Sequence, residues 1–593
     1  MKSKYFILSL MLGATICSCD DLLEPAIENT MDITAMYKNP SMAQGFLGNA
    51  YMVIPSPTSP ETDLATDDAV TNESGNQFSK MALGGWTSQN NPVSRWNTCY
   101  HAIQYINLVL EHADNVQWAG TEPLRTMYND HFKGDALGLR AMFHFYLLQV
   151  HAGEVNGQLL GVPYHVTSED ASSDFNQPRL TFAETITMIL ADIDAALELL
   201  PFEFVDVTKQ QDVPAKYAGA TYGEYTRAFG SHHAGKVDGK LLKAVRAQVL
   251  LFAASPAFAS AGVASYDQAA KAMAEIIKAT VGGISGLASN GHTWFKNFDE
   301  INALAINSNP AEILWRRGTE ENATLDQDNF PPSIFGNGRV NPTQNLVDAF
   351  YMANGYPISD PASGYNPQKP YENRDPRFYD AIVYNGSTQG PESTVINTTA
   401  SNNENSDGLN KEGGKSTRTG YYLRKLTNPS VNCDPSATGK AKRYTPRIRF
   451  TELFLGYAEA ANEAYGPTSN GGNEFSAYDV VKAIRKRALG LESDPYLESI
   501  KDNKDKMREL IRNERRLEFC FENMRFWDLR RWKVGMDKLT EPAKGMKITD
   551  NNGTLKYEVI TVEERNFSDY QYFGPIPYNE VQKFDALEQN TGW

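Results

Sequence analysis

Apolar residues recur at helical spacing over most of the chain, in pairs of segments separated by irregular stretches. Trp96 to His112 and Asp130 to Val150 form the first pair. In the second segment, Ala136, Leu137, Leu139, Ala141, Met142, Phe143, Phe145 and Tyr146 leave little polar face, so a mostly buried helix is predicted. Thr181 to Leu200 opens with Thr181 three positions before Glu184, the spacing of a capping box, and stops at Pro201. Leu241 to Ala254 ends before Pro256, and Tyr266 to Thr280 follows with alanines on one face. Arg449 to Tyr465 and Phe475 to Leu489 make a later pair, and Lys504 to Trp532 reads as one long helical stretch. Between about Gly282 and Pro446 the pattern dissolves into Gly, Pro and Asn with a few short strand candidates. Within it, the polar run from Asn397 to Lys415 reads as a surface loop.

Small alanines among larger apolar residues let helices pack closely. The pattern resembles degenerate tetratricopeptide repeats, two-helix units that bury their faces by stacking, although the pairs keep no fixed period. Insertions in such scaffolds lie on one face and carry ligands.

The first residues stand apart. A basic start, Met1-Lys2-Ser3-Lys4, precedes an apolar run from Tyr5 to Ile16 that is too short to span a bilayer, which predicts a secretory signal. Ile16-Cys17-Ser18-Cys19 resembles a lipobox, which implies cleavage before Cys19 and acylation there. Acyl chains contribute about 0.8 kcal/mol per buried methylene, enough together for firm anchoring. Asp20, Asp21 and Glu24 resemble the surface-export signal of Bacteroidetes lipoproteins, and a solvated acidic tether is the plain alternative.

The formal net charge is -16, and loss of Lys2 and Lys4 would take it to about -18. Such a surface disfavours nucleic acid, and equally a polyanionic ligand unless a local basic patch exists. Cys99, Cys433 and Cys520 have neither a disulfide framework's spacing nor a metal site's. No further apolar run approaches a membrane span.

Signatures of catalysis are missing: no H-E-x-x-H, G-x-S-x-G, P-loop or dinucleotide fingerprint occurs. His232-His233 is a poor chelate, and His144 and His151 stand two turns apart. Asp326 and Asp328 offer a calcium ion two carboxylates without the rest of a binding loop, so no cofactor is expected. Glu514, Glu518 and Glu522 recur at helical spacing with Arg515, Arg525 and Arg530 nearby, which predicts a scaffold built on local ion pairs.

Several segments together resemble the SusD/RagB family of Bacteroidetes outer-membrane nutrient-uptake lipoproteins. They are Cys19 to Pro25; Trp96, Tyr100, Ile103 and Asn107; Gly134-Asp135-Ala136 with Arg140-Ala141; and Gly161-Val162-Pro163. Asn309 to Trp315 and Arg374-Asp375-Pro376-Arg377 follow, then Tyr457 to Glu463, Glu514 to Phe519, Arg525 to Trp532 and Pro575-Ile576-Pro577. The resemblance implies a mainly α fold: tetratricopeptide-like pairs in a right-handed superhelix with a loop-rich ligand-binding part. Its divisions would be a signal peptide (1–18), a lipidated tether (19–35), an N-terminal helical region (36–300) and a C-terminal region (301–593) packed as one unit. It further implies a non-catalytic, lipid-anchored protein at the surface of the outer membrane. Such a protein captures an oligosaccharide or polysaccharide and delivers it to a SusC-like TonB-dependent transporter. An oligopeptide receptor of the RagB kind is the alternative, and a surface glycoside hydrolase a more distant one.

Sugars stack their apolar ring faces on Trp and Tyr, so binding aromatics are sought in loops. Trp86, in a glycine-bearing loop ahead of the first helix, leads; Trp294 in the insertion and Trp118 after a helix end follow. Asp68 and Asn72 are the expected polar contacts, with Asp67 and Lys80 behind them. Trp96, Trp315, Trp527 and Trp532 fall in scaffold motifs and are read as structural.

Overall fold

The structure is a computed structural model that describes residues 33–400, 405–411 and 413–593. The signal segment, Cys19 and nearly all of the expected tether lie outside the described residues. The chain is mainly α, with 46% helix against 10% strand. The principal helices are α1 (Pro40–Met52), α2 (Trp96–His112), α3 (Glu122–His151), α4 (Phe182–Leu197) and α5 (Gly239–Ala254). Beyond them lie α6 (Tyr266–Val281), α7 (Phe450–Tyr465), α8 (Ala477–Leu489), α9 (Lys504–Phe519) and α10 (Arg525–Arg531). Each packs on its neighbour in this order from α1 to α7, and α7 then contacts both α8 and α9.

Local chemistry fixes most ends. Thr181 and Glu184 close a capping box on α4, Ser265 and Gln268 on α6, and Ser476 and Asp479 on α8. Helix α3 begins at Glu122 rather than Asp130. Pro123 sits in its first turn, and Leu124 and Met127 extend its buried face through residues whose polarity masks the periodicity. Close approach decides one position in α7. A Cβ on Gly456 would stand 2.6 Å from the Met273 sulfur of α6, so a larger residue there would make the Met273 side chain shift. One apolar core runs from Met36 to Leu587, with members on both sides of residue 300.

The expected single helix from Lys504 to Trp532 is two helices. Phe521 (φ 63°) and Asn523 (φ 61°) adopt left-handed conformations between α9 and α10, which breaks the hydrogen-bond ladder. The break is held from a distance: buried Asp63 accepts from the backbone N–H groups of Phe521 (3.2 Å) and Asn523 (3.0 Å). Asn523 in turn accepts from Thr62 N (2.9 Å) and donates to Ser59 O (2.9 Å).

The insertion contributes short antiparallel pairs. Strand β1 (Ile313–Arg316) pairs with β4 (Pro446–Arg449), and β2 (Glu320–Asn322) pairs with β3 (Ala441–Arg443). The longest strands are elsewhere and the periodicity reading did not anticipate them: β5 (Ala543–Asn551) and β6 (Thr554–Glu563). The two-residue turn Asn552-Gly553 joins them with both φ angles positive, 52° and 87°, as a primed hairpin turn requires.

The buried carboxylates of α9 make distant ion pairs, not the local ones expected. Glu514 takes Arg377 (2.8 Å) and Arg485 (2.9 Å), while Glu518 takes Arg377 (3.1 Å) and Arg487 (3.0 Å). Just past the helix end, Glu522 takes Arg449 (2.9 Å) and Lys425 (2.7 Å). Arg515 pairs instead with Asp528 and Arg525 with Asp67, and Arg530 has no carboxylate partner among the described residues. Burial alone would raise the Glu518 carboxyl, but Arg487, Arg377 and Arg449 outweigh it and hold it down at about 2. Removing one member strands the others in a low-dielectric interior. Arg377→Met is therefore expected to cost about 3–5 kcal/mol in urea unfolding; a loss under 1 kcal/mol contradicts a closed network.

His131, His144 and His151 of α3 are fully buried, each with Nδ1 on a backbone carbonyl: Ala228, Arg140 and Pro575. Burial, with the His233 ring adding to it, pushes His131 down to about 3. A histidine held neutral in the fold stabilises it fully above the unfolded value near 6.5, and that contribution is lost as pH falls toward 3. Replacing His131 by Gln should flatten the fall of unfolding free energy between pH 6 and pH 4 by about 1.4 kcal/mol per pH unit. Urea titrations at pH 4, 5 and 6 check this, and identical slopes for both proteins would refute it.

Candidate ligand-binding cavity

The break between α9 and α10 brings distant segments around one space. Because Asn523 clamps Ser59 and Thr62, the loop from Pro55 to Ser59 forms part of a rim. Behind it the inner faces of α3, α5 and α7 supply Tyr146, Gln248 and Glu452. Strands β2 to β4 supply the opposite wall, and α10 contributes Trp527. They enclose a cavity of about 280 Å³.

Its lining is aromatic and cationic. Trp294 packs with Phe295 and Tyr444, its ring 5.3 Å from that of Tyr444. Arg95 lies over Trp527 (4.8 Å) and Tyr146 (5.5 Å) and donates to Gln149 (2.8 Å). Arg447 lies over Trp315 (4.3 Å) and donates to Ser56 Oγ (2.7 Å). Several buried polar atoms of lining residues have no hydrogen-bond partner among the described residues: Trp294 Nε1, Tyr444 Oη, Arg443 Nη1 and Glu452 Oε2. A buried donor or acceptor left unmatched costs about 1–3 kcal/mol, so such groups mark where a polar guest or water is held. Burial raises the Glu452 carboxyl, against the pull of Arg515 and the Gln248 amide. The other buried carboxylates nearby are committed: Glu522 to Arg449 and Lys425, and Asp528 to Arg515 and Arg531.

Of the five expected ligand-contacting residues, the structure places Trp294 in this lining and the other four elsewhere. Trp86 is 3% exposed, packed with Met81, Val93, Val150 and Phe526. Its N–H donates to Asn91 (3.0 Å), Arg530 lies over its ring at 5.1 Å and Trp593 meets it edge-on. Trp118 is stacked on Phe132 (4.4 Å) and donates to Ala113 O (2.9 Å), beside a separate groove with Tyr128 and Arg227. Asp68 is buried against Arg516 (2.7 Å), and neighbouring Asp67 against Arg525. Asn72 spends its amide on the carbonyls of Asn337, Gly338 and Ser416. These polar residues tie loop to core.

Asp326, weighed above for calcium, accepts from Asn428 N (2.7 Å) and Arg443 (2.5 Å), while Cys99, Cys433 and Cys520 are buried free thiols. Trp527, read as scaffold, is half-buried and lines the cavity. Its signal was phase: Phe526 and Leu529 mark the core side of α10, and Trp527 falls off that side.

Two sequence-family profiles match the chain. One, described as the SusD family, covers residues 311–593. The other, described as starch-binding and associating with the outer membrane, covers residues 35–222. The chain belongs to the SusD family. A curated relative, SusD-like protein P25 of Formosa agariphila, is 23% identical over 319 residues, 50% of this chain and 51% of that protein. The chain thus spans about half the length of the curated relative it matches. A SusD-like protein from Bacteroides fragilis superposes with a TM-score of 0.70 at 22% identity over 96% of this chain and 100% of that one. A SusD-like carbohydrate binding protein of the same species gives 0.67 at 21% identity over 93% and 100%. Surface glycan-binding protein A of Bacteroides fluxus gives 0.58 at 17% over 94% and 100%.

Trp86 is packed as a structural side chain. Trp86→Ala should lower stability by about 3–5 kcal/mol by chemical denaturation, and a loss below 1 kcal/mol would show that the indole is not packed as described.

Proposed function

We propose that this SusD-family protein binds a glycan in the cavity beneath the Pro55–Ser59 loop and performs no chemistry on it. The observation that carries this reading is the lining itself, in which the half-buried rings of Trp527 and Tyr146 stand beside buried donors and acceptors still to be matched, the Trp294 N–H among them. The names of the similar structures, a carbohydrate binding protein and a surface glycan-binding protein, support the same ligand class. A binding role suits the carboxylates: Glu522 and Asp528 are neutralised by arginine and lysine, so neither pairs with Glu452 as the second acid of a glycosidase. In the cell the protein would be held at the outer membrane by acylated Cys19 and pass its ligand to a SusC-like TonB-dependent barrel. The profile described as associating with the outer membrane supports that setting.

Affinity electrophoresis against a panel of polysaccharides tests the ligand class. At least one glycan should retard the protein, and Trp527→Ala should weaken that retention by about tenfold or more, the worth of a stacked ring, with an unchanged helical CD spectrum. No retardation by any glycan, with capture of peptides instead, would transfer the site to an oligopeptide.

A further inference from the structure

In a chain of net charge -16 the cavity carries cations that no acid answers. Most lining arginines are matched: Arg449 with Glu312 and Glu522, Arg515 with Asp528, Arg531 with Glu459, and Arg443 with Asp326. Arg95 and Arg447 are different. Among the described residues neither has a carboxylate within 4.0 Å. Their polar side-chain partners are neutral, the Gln149 amide and the Ser56 hydroxyl. Both line the same cavity, and Arg95 lies over its Tyr146 ring at 5.5 Å. Aromatic rings hold each in place, Trp527 and Tyr146 for Arg95 and Trp315 for Arg447, so their planes are set before any ligand arrives.

We propose that the glycan bound here is acidic, and that Arg95 and Arg447 grip its carboxylate or sulfate groups while Trp527 stacks on its rings. The proposal rests on the reading of the cavity as a glycan site. Its chemistry is that of the guanidinium fork, which presents parallel N–H donors to a planar carboxylate or a sulfate and forms charge-assisted bonds stronger than neutral ones. Burial lowers the pKa of both arginines and no carboxylate offsets it, so a bound anion supplies the missing countercharge. A net charge of -16 works against a polyanion overall, so retention depends on a local cationic site such as this one.

The test is affinity electrophoresis of the full chain against polygalacturonate and chondroitin sulfate, with amylopectin and xyloglucan as neutral counterparts, at low and high salt. The expected result is retention by an acidic glycan that weakens as salt rises. Arg447→Gln and Arg95→Gln should each weaken it about tenfold, the worth of a charge-assisted hydrogen bond, and Arg447→Lys, which keeps the charge, should weaken it less. Thermal melts confirm that the variants fold. Polygalacturonate retained above chondroitin sulfate marks a carboxylate, and the reverse marks a sulfate. Retention by neutral glycans alone, or a double Gln variant that holds the acidic glycan as tightly as the parent, overturns the acidic ligand and leaves a glycan site standing. No retention by any of the four removes the glycan site and this inference together.

Discussion

The structure depends on one buried constraint: the carboxylates of α9 cannot be left without cations. Glu514 and Glu518 lie in the core, where an unpaired charge costs several kcal/mol, and their arginines come from residues 377, 485 and 487. Arg449, at the end of β4, reaches both Glu522 and Glu312. Helices α8 and α9, the middle segment near Arg377 and the strand pair β1–β4 are thereby fixed to one another by charge as well as by apolar contact. Replacing such a network with hydrophobic residues is often neutral for stability. What it provides here is a set of directions, since each guanidinium fork accepts few geometries.

The cavity follows from that arrangement. Strand β4 ends in Arg449 inside the network and two residues earlier presents Arg447 to the lining, so the same strand that is locked in the core positions a ligand-facing group. On the other side, the interruption after Phe519 lets α10 turn and offer Trp527. Asp63, pressed up to about 7 by burial and by Asp68 yet receiving two backbone N–H groups, ties that turn to the rim loop. Rigid supports on both sides make a site whose rings and cations are arranged in advance, which lowers the ordering cost of binding.

Much of the scaffold was legible because helices announce themselves locally. The bounds of α2, the capping box of α4 and the alanine-lined face of α6 all depend on residues within a few positions of one another. The site was far less legible. Trp294 could be placed by its loop-rich surroundings, but Trp86 occupies an equally glycine-rich loop and is buried by Val150, Phe526 and Trp593, which arrive from remote parts of the chain. The helical spacing of Glu514, Glu518 and Glu522 was visible while their partners were not, because ion pairs across 29 to 141 residues leave no local trace. The hairpin β5–β6 is the opposite case, since Asn552-Gly553 is a strong local turn signal that the dominant helical pattern obscured.

The clamp on the α9–α10 break also bears on how the chain reaches this state. Asp63 meets the backbone of Asn523 across 460 positions, and Asp67 meets Arg525 across 458. During synthesis from the amino end, the rim loop therefore waits for nearly the whole polypeptide before its partners exist. The early helix pairs can stack on one another as they emerge, but closure around the cavity is a late event of high contact order, slow for entropic reasons.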